Sequence, residues 1–288
     1  MKRFMLIKKI EDKCSECMLC VRDCVMGVWR NVDGKSMPVH VELCNGCSHC
    51  IAVCPCDAII HNGLNKEEIY DVHVKNLSPD AYRDAIVSRR SIRQFKNQPV
   101  PRDVIEKILD VARYAPTARN QQETGYIVIT NQRLIEETAQ GLFRLGSSFY
   151  NKTKKGVGRL LVRATGLSRN PYFNLMDYVQ EQNAEKGRDF ILHNAPVVIL
   201  IHGPKRKAFM ADDCNIAATT IINYAHTLGL GTCFVGMMTL LLRYSSRLRK
   251  KFGVPGNRRV YVTLVMGYPA YGYRHTVSRK TPVIKWLS

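Results

Sequence analysis

No apolar run in this 288-residue chain approaches the roughly 20 residues that a membrane-spanning helix needs; the longest, APVVILI at 195–201, has the length of a strand. The opening MKRFMLIKKI is basic, yet it has neither the apolar core nor the small-residue cleavage site of a secretory signal. It reads as the first strand of a domain, and the expected location is the cytoplasm. No GxGxxG follows a strand and no GxxxxGK[ST] occurs, so neither glycine-built phosphate cradle is offered. There is no Ser-His-Asp set and no paired-carboxylate signature, and no DNA- or RNA-binding motif. Acidic residues are scarce in the later part: residues 78–288 hold 33 Lys and Arg against 14 Asp and Glu, whereas residues 1–77 hold 10 of each. The net charge of +19 therefore belongs to the later part alone. That asymmetry suggests two units with different partners.

Cysteine, by contrast, is concentrated. Nine of the eleven cysteines precede residue 57. Cys14, Cys17, Cys20 and Cys24 follow C-x2-C-x2-C-x3-C, and Cys44, Cys47, Cys50 and Cys54 repeat it 30 residues later, with Pro55 next. In a reducing compartment such clusters are metal ligands more often than disulfides. Zinc sites or a disulfide staple are the competing readings, but zinc sites pair two C-x2-C knuckles. Three cysteines at two-residue intervals plus a fourth three residues on is the bacterial ferredoxin run, in which the fourth ligand serves the other cluster. The resemblance implies one [4Fe–4S] cluster on Cys14, Cys17, Cys20 and Cys54, and a second on Cys44, Cys47, Cys50 and Cys24. It also implies that the first three thiolates leave a tight loop and the fourth departs on a short helix. Val25 stands where a proline is usual, and Cys56 has no role in the scheme and reads as a spare thiol.

Residues 63–77 are polar and mixed, as a packed linker would be. A helix is expected from Ser78 as N-cap with Pro79 at its first position, and a second through RDVIEKILDVARYA, where Val104, Ile105, Ile108, Leu109 and Ala112 recur at helical spacing. YIVIT at 126–130, APVVILIHG and VYVTLVMGYPA read as strands, and DCNIAATTIINYAHTLGLG as a buried core helix. The stretch 141–190, rich in Gly, Lys, Arg and aromatics, is expected to be the least regular and to act as a lid or arm. The fold class is α+β: a two-cluster ferredoxin-like domain at 1–62, then a domain at 78–288 whose central sheet is flanked by helices.

Arg89, Arg90, Ser91 and Arg93 place three guanidiniums and a hydroxyl within five residues where a helix runs into a loop. Guanidinium forks match a phosphate dianion bidentately; a solvated basic face is the bland reading. The order RRSIRQF…PVPRDVIEKILDVARYAPTARNQQ, then DCNIAATTIINYAHTLGLGTCFVG and MGYPAYGYRHTVSRK, resembles the nitroreductase family of FMN flavoproteins over nearly all of 82–285. The resemblance implies that Arg89, Arg90, Ser91 and Arg93 hold the FMN phosphate and ribityl end, with Arg279 and Lys280 closing from the tail. It implies that Asn120 and Gln122 reach the flavin ring, and that a turn containing Cys233, Val235 and Gly236 lies against it. Glu123-Thr124 replaces the family's frequent Pro-Trp, and Val235 stands where some relatives have an acidic residue. Cys214 reads as packing, and His193, His202, His226 and His275 as structural.

The whole resembles a ferredoxin–nitroreductase fusion. It implies electron flow from a low-potential donor through two [4Fe–4S] clusters to FMN, and on to a flat conjugated acceptor such as a nitroaromatic or quinone. The alternatives are an NAD(P)H-dependent nitroreductase with a dispensable cysteine module, and an iron–sulfur redox sensor. A homodimer is expected. An acidic donor such as ferredoxin or flavodoxin could be steered by Lys152, Lys154, Lys155, Arg159, Arg163 and Arg169. Neither a membrane nor a nucleic-acid partner is expected.

Overall fold

In a computed structural model, residues 6–71, 78–165, 173 and 175–288 are described, Arg159 and Leu161 by their backbone only. Residues 1–5 of the expected first strand, 72–77 of the linker, and Arg169 lie outside this set. The chain divides into two compact units, Met1–Leu77 with Thr117–Gln122, and Ser78–Pro116 with Glu123–Ser288.

The first unit is built from short pieces: β1 (Ile7–Lys9), α1 (Leu19–Asp23), β2 (Trp29–Val32), β3 (Lys35–Pro38), α2 (His49–Ala52) and β4 (Ile59–His61). β1 pairs antiparallel with β4, and β2 with β3. Asp33 and Gly34 connect the latter pair with φ of 50° and 81°, the left-handed pair that a tight hairpin with the native strand twist requires. Asn31 Oδ1 accepts the Gly34 N–H at 3.0 Å. The 30-residue repeat is visible in the backbone: Glu16 and Gly46 (φ 49° and 67°), and Met18 and Ser48 (both 61°), are left-handed at matching positions. A small core of Ile7, Cys20, Val28 and Trp29 closes the unit.

The second unit contains α3 (Pro79–Ser88), α4 (Arg102–Ala112), β5 (Gly125–Ile129), α5 (Gln132–Thr153), α6 (Gly156–Ala164), α7 (Met176–Lys186), β6 (Val197–Pro204), α8 (Met210–Thr227), β7 (Gly231–Phe234), α9 (Gly236–Tyr244), α10 (Ser246–Lys251) and β8 (Arg258–Gly267). Four strands form one antiparallel sheet in the order β5-β6-β8-β7. Because side chains alternate across a strand, β6 feeds two cores. Val197, Ile199 and Ile201 join α4 and α8 on one face, while Val198 and Leu200 join α5 and α9 on the other. Truncating Ile221, fully buried at the centre of α8, to alanine is expected to cost about 2–5 kcal/mol, read as a lower denaturant midpoint at unchanged slope.

Ser78 caps α3 by accepting the Ala81 N–H at 3.3 Å, with Pro79 at the first position. The stretch 141–190 differs from expectation. It carries most of α5, all of α6 and α7, and so its described residues are largely helical. Ile135, Thr138, Ala139 and Leu142 recur on one buried face of α5, a helical period that begins ahead of residue 141.

Candidate functional site

α3 ends at Arg89, and the basic element that follows is laid along the sheet edge. Ile92 N–H donates to Thr232 O at 2.9 Å, and Ser91 bridges Thr232 in parallel fashion. A Cβ at Gly231 would collide with the Ile92 side chain, so glycine there permits the close approach. Gly231→Ala is expected to displace this element and destabilise the unit by about 1–3 kcal/mol, the cost of overpacking, measurable by chemical unfolding.

The structure brings Arg89, Arg90, Ser91, Arg93, Cys233 and Arg279 into one neighbourhood. Arg89 is half-buried, and its pKa is lowered first by burial and then by the guanidiniums of Arg90 and Arg279. Burial pushes the Cys233 thiol up, opposed by Arg93, Ser91 and Arg89. Arg90 Nη1 donates to Val87 O at 2.8 Å and Arg89 O at 2.6 Å, and Nη2 to His275 O at 3.2 Å. Its Nε is buried without a partner. Among the described residues no carboxylate pairs with Arg89, Arg90, Arg93 or Arg279. Like charges held together destabilise one another unless an anion joins them.

The turn expected around Cys233, Val235 and Gly236 is different in kind. Cys233 ends within β7, Val235 is the N-cap of α9, and Gly236 is its first residue. Val235 N–H donates to Thr263 O at 2.9 Å, and space beside Gly236 is open. Lys280 is exposed on the tail. His226, read from sequence as structural, lies beside the arginines: its Nε2 is 2.8 Å from Ser88 Oγ, and burial, Arg89 and Arg90 lower its pKa. The lone histidine in an apolar helix carried no signal of that neighbourhood.

His202 is buried on β6, and its Nδ1 accepts the Arg258 Nε–H at 2.7 Å. Burial first, then the Arg258 charge, lower its pKa to about 4. As pH falls the unfolded chain protonates this group first, near 6.5. Its contribution is therefore intact above about pH 6.5 and is lost towards pH 4, by roughly 3 kcal/mol. Unfolding curves across that window should show the decline, and His202→Gln, which keeps an acceptor for Arg258, should flatten it.

In the first unit the eight repeated cysteines sort four and four. Cys14, Cys17, Cys20 and Cys54 line one pocket, together with Cys56. Cys24, Cys44, Cys47 and Cys50 line the other. This is the crossed grouping, Cys54 with the first run and Cys24 with the second. The third cysteine of each run, Cys20 or Cys50, sits on the short helix itself; Cys24 caps α1, and Cys54 follows the C-cap of α2. The fourth cysteine of each run thus leaves at or after the end of the helix. Cys56 Sγ donates to Ser15 Oγ at 3.5 Å. Burial raises the Cys20 and Cys44 thiols, and pushes Cys50 up to about 11. Among the described residues no three Cys, His, Asp or Glu side chains converge on the place of a single ion.

Trp29 lines both pockets; its indole is 2 % exposed and its Nε1–H has no partner. A buried donor without an acceptor is costly, and a cluster or its thiolates would supply one. The left-handed residues flanking Cys17 and Cys47 are the backbone element from which nests for anions and Fe–S centres are made. The residues therefore fit a cluster in each pocket. His61, Ser36 and Lys9 also surround these thiols, and no sequence spacing marked them. Asn120 and Gln122 belong to this unit: Asn120 Nδ2 donates to Asn45 O at 3.2 Å and Gly46 O at 3.0 Å, and Asn120 Oδ1 accepts from Gln122 Nε2 at 2.9 Å.

Of the basic residues expected to steer a donor, Lys152, Lys155 and Arg163 are exposed, whereas Lys154 pairs with Asp177 at 3.0 Å. Among the described residues no helix is long and apolar enough to cross a membrane.

Comparison with known proteins gives a consistent picture for the second unit. The family model described as Nitroreductase family matches residues 86–268. A Bacillus subtilis protein assigned by name to the NAD(P)H nitroreductases, YfhC, is 28% identical over 206 residues, covering 70% of this chain and 90% of its own. Nitroreductase NfnB of Mycolicibacterium smegmatis is 26% identical over 199 residues, covering 64% and 80%. The fold matches that of a Desulfitobacterium hafniense nitroreductase solved with bound FMN, at a TM-score of 0.52 and 20% identity, over 71% of this chain and 98% of that one.

Proposed function

The chain belongs to the nitroreductase family and is a flavin oxidoreductase, and from that premise we propose that it binds FMN and uses NAD(P)H to reduce a flat conjugated acceptor such as a nitroaromatic or quinone. NAD(P)H enters the proposal through the name of YfhC. The observation that carries FMN binding is the group of four guanidiniums without a carboxylate partner, one of them with a buried, unpaired Nε. When bound, FMN supplies the redox chemistry, taking a hydride from NAD(P)H and passing two electrons to the acceptor. Arg89, Arg90 and Arg279 would hold its phosphate as a dianion, since guanidinium forks satisfy such an anion bidentately. Ser91 and Arg93 would take the ribityl end, with Lys280 closing from the tail. The buried Val235 fixes the start of α9, and the open space at Gly236 leaves room for a ring. We propose a homodimer as the working form. The test is flavin content together with NAD(P)H-driven nitroaromatic reduction; a protein that binds FMN yet passes no electrons to any acceptor would defeat the proposal.

A second reading adds an iron–sulfur entry, in which a low-potential donor such as ferredoxin or flavodoxin supplies electrons through two [4Fe–4S] clusters. The grouping of eight thiols around two pockets, with the unpaired Trp29 N–H between them, supports it. Deprotonated thiolates are the ligands, so the buried Cys50 would give up its proton on metal binding. Iron and sulfide analysis of anaerobically purified protein tests this reading: stoichiometric iron supports it, and none at all refutes it.

A further inference from the structure

A cavity of about 370 Å³ lies between α5, α7 and α9 in the second unit, a size usual for small-molecule sites. We infer that it seats the body of the acceptor, and that Gly146 keeps it open for an uncharged ring carrying an apolar substituent. The inference deepens the proposed function and rests on it.

The walls are apolar. Phe143, Leu145 and Phe149 come from α5, Met176 from α7, and Met237 and Leu241 from α9. Met237 follows Gly236 directly in the first turn of α9, and the space beside Gly236 is open. The cavity therefore begins where the proposed function places the flavin ring.

Among the described residues no charged side chain lines the cavity. Its one hydroxyl, that of Tyr150, donates to Asp177 Oδ2 at 2.8 Å and is committed there. Lys154 lies 5.1 Å from the centre of the Tyr150 ring, but it is paired with the same carboxylate at 3.0 Å. A sulfonate or carboxylate entering here would leave water and gain no partner, which is unfavourable. An apolar ring would instead cover Leu145, Phe149 and Met237, each at least half-exposed, and that burial is favourable.

Gly146 is the residue that these walls do not otherwise explain. It lies in the interior of α5, where glycine weakens a helix relative to alanine. Its φ is not positive, so no turn requires it. A Cβ there would meet nothing within 4 Å, so close packing does not require it either. What glycine provides at this position is space, because its missing side chain is part of the cavity. For a quinone the reaction served is a two-electron reduction to the hydroquinone. NAD(P)H is oxidised to NAD(P)+ and supplies a hydride, and solvent supplies the second proton.

The experiment reads binding apart from turnover. The FMN-loaded, oxidised protein has no electrons to give, so calorimetric titration with methyl-naphthoquinone and with naphthoquinone sulfonate measures affinity alone. The wild type should bind the methyl compound more tightly. Gly146→Leu fills the cavity and should weaken that binding about tenfold or more, the scale on which apolar pockets respond to added or missing methylenes. It should also slow reoxidation of the dithionite-reduced flavin by the same quinone, without lowering FMN content or the unfolding midpoint. Leu145→Arg, at a largely exposed position, should shift the preference towards the sulfonate, and it decides the matter if Gly146→Leu does not fold. Wild-type affinity in Gly146→Leu, or an unchanged preference in Leu145→Arg, overturns the inference and leaves FMN binding untouched. A change of oligomeric state at unchanged quinone affinity assigns the cavity to a second copy and overturns it as well. Absence of FMN from the wild type defeats the proposed function beneath it.

Discussion

Replacing Arg90 by alanine is expected to strip FMN from the purified protein and weaken its rebinding about a hundredfold or more. The guanidinium is the one whose buried Nε lacks a partner. Hydrogen bonds to charged groups contribute about 1.5–3 kcal/mol each, and about 1.4 kcal/mol is a factor of ten in affinity. Arg90 also ties down the tail through His275 O, so alanine would remove a proposed phosphate ligand and loosen the segment that carries Arg279. Arg90→Lys keeps the charge but not the fork, and should fall between wild type and alanine. Flavin absorbance of the purified variants and fluorescence titration with FMN read the effect. Wild-type flavin content in Arg90→Ala would remove the phosphate site from the account.

The second large effect concerns which cysteines work together. Each [4Fe–4S] cluster holds four irons, so loss of one set should leave roughly half of the iron. Cys17→Ala and Cys54→Ala should lose the same cluster signal, because both line one pocket. Cys47→Ala and Cys24→Ala should lose the other. If Cys24→Ala instead matched Cys17→Ala, the pairing would follow the linear runs, and the two pockets would have been misread as sites. The same variants separate the two electron sources. NAD(P)H-driven turnover that persists in all four assigns the flavin its own donor, whereas turnover lost from all four makes the cysteine module obligatory.

Much of this architecture was legible in the sequence, for identifiable reasons. The 30-residue cysteine repeat survives in the paired left-handed residues Glu16 and Gly46, and Met18 and Ser48. Ser78 and Pro79 mark the start of α3, and the spacing of Ile105, Ile108 and Ala112 marks the buried face of α4. The strands on either side of the core helix are continuous apolar runs because both faces of β6 are buried. What escaped has physical causes too. Helices α5 to α7 were hidden because their buried positions are interleaved with lysines, arginines and exposed aromatics such as Phe149. The family resemblance implied a turn from Cys233 to Gly236, but β7 runs to Phe234 and pairs with β8, which leaves only Val235 between it and α9. Trp29, Ser36 and His61 were invisible as neighbours of the cysteines because hairpin and strand pairing, not local spacing, bring them there.

The most direct test of the central claim is anaerobic mixing of the FMN-loaded protein with NAD(P)H, followed by addition of a nitroaromatic, with the flavin absorbance recorded throughout. The account predicts that NAD(P)H bleaches the flavin and that the nitroaromatic restores its colour. A protein that takes up no FMN, or whose bound flavin responds neither to NAD(P)H nor to reduction through the cysteine module, would contradict it.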